Sequence, residues 1–238
     1  MRTPLILTVV FALAASAAAD EAPAARTLRS KPEIFPKLQG YISRSVRQFD
    51  EIPDERKKLL EELAAFVTKR VADKKRTNLT FICTHNSRRS HLSQVWAQAA
   101  AAHYGIEGVT AYSGGTESTA FNPRAVSAVR RAGFRVQKTT GGQNPIYHVR
   151  YAKGAFPITN FSKVYNMAPN PAKDFCAVMT CSSADKSCPL VRGAAFRMAI
   201  PYEDPKAFDG TNKEVAAYDE RCRQISRELL YLFSKVKK

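Results

Sequence analysis

The chain has 238 residues, of which 45% are hydrophobic and 24% charged. This length suits one domain with extensions or at most two domains, and the hydrophobic share is ordinary for a globular fold. The formal net charge of +16 would concentrate anionic substrates around the protein. The basic residues are spread along the chain without an RNA- or DNA-binding motif, so we expect no nucleic-acid partner.

The N-terminus has the pattern of a cleavable export signal. A short basic segment at residues 1–3 precedes an apolar run over 4–15, and three alanines at 17–19 supply a cleavage site. The apolar run is shorter than the roughly 20 residues that a membrane-spanning helix needs. We therefore predict a signal peptide over 1–19, a periplasmic or secreted protein, and no membrane association after cleavage.

Residues 20–75 are predicted to form a polar leader followed by a helical extension. Pro53 suits the first position of a helix over 53–74, and the two acidic residues after it suit the positive end of that helix. An apolar stripe with helical spacing consists of Leu60, Leu63, Val67 and Val71. The sequence leaves open whether this extension is a subdomain or a brace on the main domain, which we place at 76–238.

Strands and helices alternate after residue 76. A strand at 79–82 precedes a polar loop and a helix over 90–104, and a second strand is predicted at 109–112. Asn122 and the proline after it suit the N-cap and first position of the next helix, and Gly133 ends that helix. This alternation predicts an α/β fold with a parallel sheet.

The second half of the chain is less regular at first. Segments 146–151 and 156–165 are expected to pair as a hairpin, whereas the apolar run at 175–179 predicts a strand buried on both faces. Another strand is expected at 196–200.

The last helix is predicted to begin at a capping box formed by Thr211 and Glu214, which lie three residues apart. It has a regular apolar stripe that consists of Tyr218, Cys222, Ile225, Leu229, Leu232 and Val236. Cys222 on this stripe and Cys176 in the buried strand are therefore predicted to be core residues.

Residues 83–90 (CTHNSRRS) form a Cys-x5-Arg loop between a strand and a helix, where main-chain amides and the positive helix end can hold an anion. Arg89 can bind two oxygens of a tetrahedral anion, and the positive surroundings favour a thiolate nucleophile at Cys83. Asn86 tolerates the left-handed backbone of a tight loop. The predicted oxyanion-binding residues are Thr84, His85, Asn86, Ser87, Arg88, Arg89 and Ser90.

This loop resembles the phosphate loop of low-molecular-weight protein tyrosine phosphatases and the related thioredoxin-coupled arsenate reductases. The resemblance continues through SGGTE at 113–117 and FNPR at 121–124, and reaches YEDP at 202–205. It implies a three-layer fold with a four-stranded parallel sheet and helices on both faces, to which this chain adds the N-terminal helices and the inserted hairpin. It also implies that Asp204 is the general acid.

Cys181 and Cys188 flank the segment SSADKS directly after the buried strand. In the arsenate-reductase branch, a pair with this spacing relays the oxidation away from the nucleophile, so the resemblance implies catalytic roles for both. A structural disulfide, natural in an exported protein, and a vestigial pair in a working phosphatase are the alternatives. A periplasmic reductase would need a thioredoxin-like donor as its partner.

Some residues depart from the family pattern. Arg88 replaces a cysteine that is usual in the reductases, Gln94 replaces a glutamate associated with cation binding, and the segment 137–170 is longer than usual. Lys206 follows the Asp-Pro pair where the phosphatases usually have an aromatic residue, which fits a small inorganic anion.

The leading interpretation is therefore an arsenate-reductase-like enzyme acting on small oxyanions. The alternatives are a phosphatase that forms a phosphocysteine on phosphotyrosine or a small phosphoester, and a non-catalytic phosphate-binding module. No cofactor is implied, and the spacing of His91, His103 and His148 does not predict a metal site.

Overall fold

The structure, a computed structural model, describes residues 32–188 and 190–238, so the predicted signal peptide lies outside the described residues. The first two helices are α1 (Pro36–Val46) and α2 (Asp54–Ala72). Both pack against the last helix, α6 (Glu214–Ser234). On α2, Arg56 pairs with the buried Glu228 of α6 at 2.8 Å and lies over the ring of Tyr202. The extension is therefore a brace, while its boundary at residue 75 stays a prediction.

The main sheet has four parallel strands in the order β2-β1-β6-β7. Their bounds are Thr77–Cys83 for β1, Val109–Gly115 for β2, Phe175–Met179 for β6 and Ala194–Ala199 for β7. Because the strands are parallel, the loops that follow β1, β6 and β7 meet at one edge of the sheet. The predicted α/β fold with a four-stranded parallel sheet is confirmed.

The two faces of this sheet are covered unequally. The helical face, which includes Leu79, Phe81 and Val178, packs into the main core with α3 (Arg89–Tyr104) and α6. The opposite face, which we call the α5 face, includes Ile82, Ala177 and Met179. It packs against α5 (Ser182–Ser187), a helix of only six residues, and its own small apolar cluster. Helices thus lie on both faces, as predicted, but the apolar core on the helical face is much larger than the cluster on the α5 face.

The inserted hairpin belongs to a second, antiparallel sheet of three strands. Its strands are β3 (Arg135–Lys138), β4 (Tyr147–Arg150) and β5 (Ile158–Asn160). The pairing of β4 with β5 confirms the predicted hairpin. The sequence RVQK of β3 gives no strand pattern by itself because three of its four residues are polar, so β3 was not predicted.

The helix ends agree with the sequence at α3 and α4 but not at α2 and α6. Pro53, predicted as the first helical residue, is the N-cap of α2, whose first residue is Asp54. The helix α4 (Pro123–Ala132) has Asn122 as its N-cap, and Gly105 and Gly133 adopt positive φ after α3 and α4. The predicted capping box of α6 is wrong. The N-cap is Lys213, which makes no side-chain capping bond, and Glu214 is the first helical residue. The carboxylate of Glu214 accepts a hydrogen bond from the amide of Gly210 and not from that of Thr211.

Across the described residues, none of the helices combines the length and apolar character needed to traverse a bilayer.

Candidate active site

Strand β1 delivers Cys83 to the edge of the sheet, where its side chain is almost fully buried. Its sulfur lies 3.1 Å from Ser90 Oγ, and that same hydroxyl accepts a hydrogen bond of 2.9 Å from Asn86 Nδ2. Because Asn86 occupies an acceptor position of Ser90, the hydroxyl proton of Ser90 is free to point at the sulfur. The Ser90 hydroxyl is therefore placed to donate a hydrogen bond to the sulfur of Cys83.

Asn86 fixes the shape of the loop through its backbone and its side chain. Its φ of 43° lies in the left-handed region, which asparagine tolerates better than most residues. Its Oδ1 accepts a hydrogen bond of 2.9 Å from the amide of Lys163. The left-handed conformation expected from the sequence is confirmed.

The SGGTE segment supports the loop from behind. The amide of Glu117 donates to the carbonyl of Thr84 at 2.8 Å, and the amide of Thr116 donates to the carbonyl of Cys83 at 3.1 Å. A Cβ on Gly115 would lie 2.6 Å from that Thr84 oxygen and 2.7 Å from the amide nitrogen of Asn86. Only glycine therefore allows the end of β2 to approach the loop this closely.

The main-chain amides of the loop are available to a ligand. Within the described part of the chain, the amides of residues 84–88 donate to no carbonyl and to no side chain. They lead directly into the N-terminus of α3, whose first helical residue is Arg89. Free amides beside a helix N-terminus form a site for an anion.

Arg89 and Asp204 lie together at the mouth of this loop. Arg89 donates from Nη2 to Asp204 Oδ2 at 2.8 Å and from Nη1 to the carbonyl of Tyr202 at 3.0 Å. Asp204 Oδ1 accepts from the amide of Lys206 at 3.1 Å. The structure thus places the predicted general acid beside the predicted anion clamp, although the residues lie 115 positions apart.

Arg88 contacts a group that the sequence did not assign to the site. It donates from Nε to the hydroxyl of Tyr218 at 2.9 Å and lies 3.8 Å from Asp204 Oδ2. Tyr218 in turn donates to Asp209 at 2.8 Å. Burial, and then the bond to Asp209, raise the pKa of Tyr218 to about 12, so its hydroxyl stays protonated. The apolar stripe predicted the buried ring of Tyr218 but not the role of its hydroxyl.

Cys181 lies next to the loop and Cys188 at the far end of α5. Cys181 is buried as the N-cap of α5, and its sulfur is 3.5 Å from Thr84 Oγ1. Cys188 is the C-cap, is partly exposed, and like Cys181 is a free thiol. A helical rise of about 1.5 Å per residue separates their Cα atoms by roughly 10 Å, beyond the reach of a disulfide. A permanent structural disulfide between them is incompatible with this conformation.

Arg197 on β7 holds the C-terminal end of α5. Its Nη2 donates to Asp185 Oδ1 at 2.5 Å and to the carbonyl of Cys188 at 3.1 Å, and its Nε donates to the same carbonyl at 3.2 Å. This contact was not predicted because Arg197 lies in an apolar strand.

Buried polar groups lie behind the loop. Gln94 accepts a hydrogen bond of 2.8 Å from Asn160, and Asn160 also lies 3.1 Å from Nδ1 of His91, the residue after Ser90. Burial lowers the pKa of Lys163 to about 8, and burial together with the charge of Lys163 lowers the pKa of His91. Among the described residues, no group of three or more histidine, cysteine or acidic side chains is placed to hold a metal ion.

A cavity of about 530 Å³ opens beside the loop. It lies between the loop, the start of α4, the loop that joins β3 to β4, and the segment after Asp204. Its lining residues are His85, Ser87, Arg88, Thr119, Ala120, Asn122, Pro123, Gln143 and Lys206.

Comparisons with known proteins identify relatives of the central part of the chain. Residues 78–146 match the family model of the low molecular weight phosphotyrosine protein phosphatases. The chain is 27% identical over 155 residues to an arsenate reductase of Bacillus licheniformis, which covers 65% of this chain and 93% of the relative. It is also 27% identical to an arsenate reductase of Bacillus subtilis over 143 residues, 60% of this chain and 84% of the relative.

A solved structure of a low-molecular-weight phosphotyrosine phosphatase from Vibrio cholerae is similar over 66% of this chain and 95% of its own. The sequence identity is 11% and the TM-score is 0.45.

Proposed function

We propose that this protein reduces arsenate through three thiols in series. The chain belongs to the superfamily of low-molecular-weight protein tyrosine phosphatases and thioredoxin-coupled arsenate reductases. The chain is a cysteine-based enzyme of the phosphatase and reductase kind, and reduction is the finer assignment that we favour. The observation that carries this choice is the 3.5 Å approach of Cys181 to Thr84 in the nucleophile loop.

In the first step, the Cys83 thiolate attacks the arsenic atom of arsenate. The free amides of residues 84–88 and the guanidinium of Arg89 hold the arsenate oxygens and offset the charge that develops. A sulfur–arsenic bond forms, and one oxygen leaves as water after Asp204 supplies a proton. The contact between Arg89 and Asp204 supports this role because it keeps the acid next to the bound anion.

The next two steps move the oxidation away from the loop. The thiolate of Cys181 attacks the sulfur of Cys83, and the electron pair of the sulfur–arsenic bond stays on arsenic, which leaves as arsenite. Cys188 then attacks Cys181, which frees Cys83 and leaves a Cys181–Cys188 disulfide for an external dithiol to reduce. Since α5 keeps these two residues apart, this exchange requires α5 to unwind.

The proposal includes export, because the pattern over residues 1–19 is that of a signal peptide. In the periplasm the electron donor is then a thioredoxin-like protein of that compartment. Measuring the N-terminal residue of the protein recovered from periplasmic extracts tests this part, and a retained Met1 in the cytoplasmic fraction would contradict it.

Arsenite release by purified protein tests the relay directly. With arsenate and a dithiol reductant, the parent protein should turn over repeatedly, and Cys181→Ser should abolish turnover because the adduct on Cys83 cannot be resolved. Cys222→Ser, a thiol of the helical core, is the matched control and should keep its activity. Arsenite turnover that survives in Cys181→Ser would rule out the relay.

A second candidate, phosphomonoester hydrolysis, is favoured by the cavity of about 530 Å³, which exceeds what a single oxyanion fills. Cys83 would attack phosphorus, the bond from phosphorus to the leaving oxygen would break, and Asp204 would protonate that oxygen. Water would then hydrolyse the phosphocysteine, giving its proton to Asp204. Phosphate release from para-nitrophenyl phosphate that is unchanged in Cys181→Ser would support this candidate over reduction.

A further inference from the structure

The cavity beside the loop lies where a leaving group would be. Two of its lining residues, Arg88 and Lys206, also contact Asp204: Arg88 Nη1 lies 3.8 Å from Oδ2, and the Lys206 amide donates to Oδ1 at 3.1 Å. A general acid protonates the leaving oxygen, so the rest of the leaving group lies beside that acid. The position next to Asp204 therefore makes the cavity the place for the leaving group.

The residues that line the cavity favour a leaving group with a negative charge. Its lining contains Arg88, Lys206 and His85, but no acidic residue and no tyrosine, phenylalanine or tryptophan. In the part of the chain that the structure describes, the ammonium of Lys206 has no ion-pair partner. Carboxylates do approach the other two, since Asp209 lies 4.0 Å from Arg88 and Glu117 lies 3.5 Å from His85. Among these three residues, Lys206 is therefore the one whose charge is available for an ion pair with a ligand.

The added antiparallel sheet contributes a wall of the cavity and fixes it to the loop. Gln143, in the loop between β3 and β4, lines the cavity. The next residue, Asn144, exchanges two hydrogen bonds with Ser162, of 2.8 and 3.0 Å. The hydroxyl of Ser162 donates to the carbonyl of His85 at 2.9 Å. This chain of bonds gives the wall a defined position relative to the anion site.

We propose that this cavity binds the leaving group of small phosphomonoesters that carry a second anionic group, and that Lys206 recognises that group. The inference rests on the phosphatase candidate above and names its substrate class. A phosphate in the loop and a carboxylate or second phosphate near Lys206 would use both positive regions of the site, whereas an aryl group would find no aromatic wall to stack against.

Binding to the Cys83→Ser protein, which cannot form the covalent intermediate, tests the proposal. The probes are 3-phosphonopropionate and its uncharged counterpart propylphosphonate, titrated by calorimetry beside inorganic phosphate. We expect the phosphonocarboxylate to bind about tenfold more tightly than propylphosphonate. Lys206→Gln in the same background should remove most of this preference, whereas Lys213→Gln, which removes an equal charge at an exposed position outside the cavity, should keep it.

Equal affinities for the two phosphonates would overturn the proposal, and so would equal effects of the two lysine variants, because the preference would then come from the general field of a basic protein. Failure of the proposed function would look different. If inorganic phosphate itself does not bind to Cys83→Ser, and the parent protein neither reduces arsenate nor hydrolyses para-nitrophenyl phosphate, the loop is not a catalytic anion site.

Discussion

The two faces of the parallel sheet hold cysteines in opposite surroundings. On the helical face, Cys176 and Cys222 are buried in the main core, where burial raises the pKa of both thiols, that of Cys222 to about 12. On the α5 face, Cys83, Cys181 and Cys188 belong to or border the small cluster beside a six-residue helix. A thiol buried in a large apolar core stays protonated and unreactive, whereas a thiol covered only by a short helix can react.

The two faces also differ in how firmly their helices are held, because the apolar cores that they pack against differ in size. The helical face packs α3, α4 and α6 with the brace of α1 and α2 into one continuous core. The helix α5 is too short to be stable on its own and relies on few apolar contacts. The larger core therefore supports the loop, whereas α5 is the segment that the proposed relay requires to unwind.

Replacing one cysteine on each face by serine gives the largest expected difference in activity. Cys83→Ser should lower kcat/KM for arsenate and for para-nitrophenyl phosphate by about 10⁴-fold or more, because it removes the nucleophile. Cys222→Ser should leave kcat/KM unchanged and lower the free energy of unfolding by about 1 kcal/mol, since Trp96 still finds an acceptor at that position. Steady-state kinetics and urea unfolding measure the two effects. If Cys222→Ser abolishes activity in a folded protein, the separation of the two faces is wrong.

Buried charges sharpen the comparison through stability. On the helical face, Glu228 is paired with Arg56 at 2.8 Å, whereas Lys163, behind the loop, has no carboxylate partner among the described residues. Burial lowers the pKa of Lys163 from 10.5 to about 8. The folded protein therefore carries the cost of a buried charge below pH 8, and this cost disappears as the pH rises from 8 to 10.5.

Lys163→Met should accordingly raise the free energy of unfolding by about 3 kcal/mol at pH 7 and by little near pH 10.5. Urea unfolding at the two pH values measures the difference, with the exposed Lys213→Met as the control. An equal gain at both pH values would mean that better packing, and not the removal of a charge, is the cause.

The smallest expected effect concerns the release of α5. Arg197→Ala removes the bonds to Asp185 and to the Cys188 carbonyl, so α5 should unwind more often and the Cys181–Cys188 disulfide should form about tenfold faster. Alkylation of free thiols after mixing with oxidised thioredoxin, followed by mass spectrometry, gives the rate. Arg192→Ala, an exposed arginine nearby, is the control. An unchanged rate in Arg197→Ala would show that α5 does not limit the exchange.

The sequence predicted those parts of the site that depend on local order along the chain. The strand–loop–helix around Cys83, the caps at Asn122 and Gly133, and the buried strand β6 all follow from neighbouring residues and are confirmed. The partners that come from far along the chain could not be predicted from local patterns. Arg197 lies in an apolar strand, and the hydroxyl of Tyr218 extends from a helix stripe that indicates only burial.

The brace has a consequence for any attempt to shorten the protein. The family match begins at residue 78, which invites a truncated form that starts there. Yet Arg56 on α2 lies 4.8 Å from the ring centre of Tyr202, and the carbonyl of Tyr202 holds Arg89. Removing the first two helices would expose the surface of α6 that they cover and would remove the contacts of Arg56 with Glu228 and Tyr202. The shortened protein should therefore be less stable and should hold the segment that leads to Asp204 less firmly.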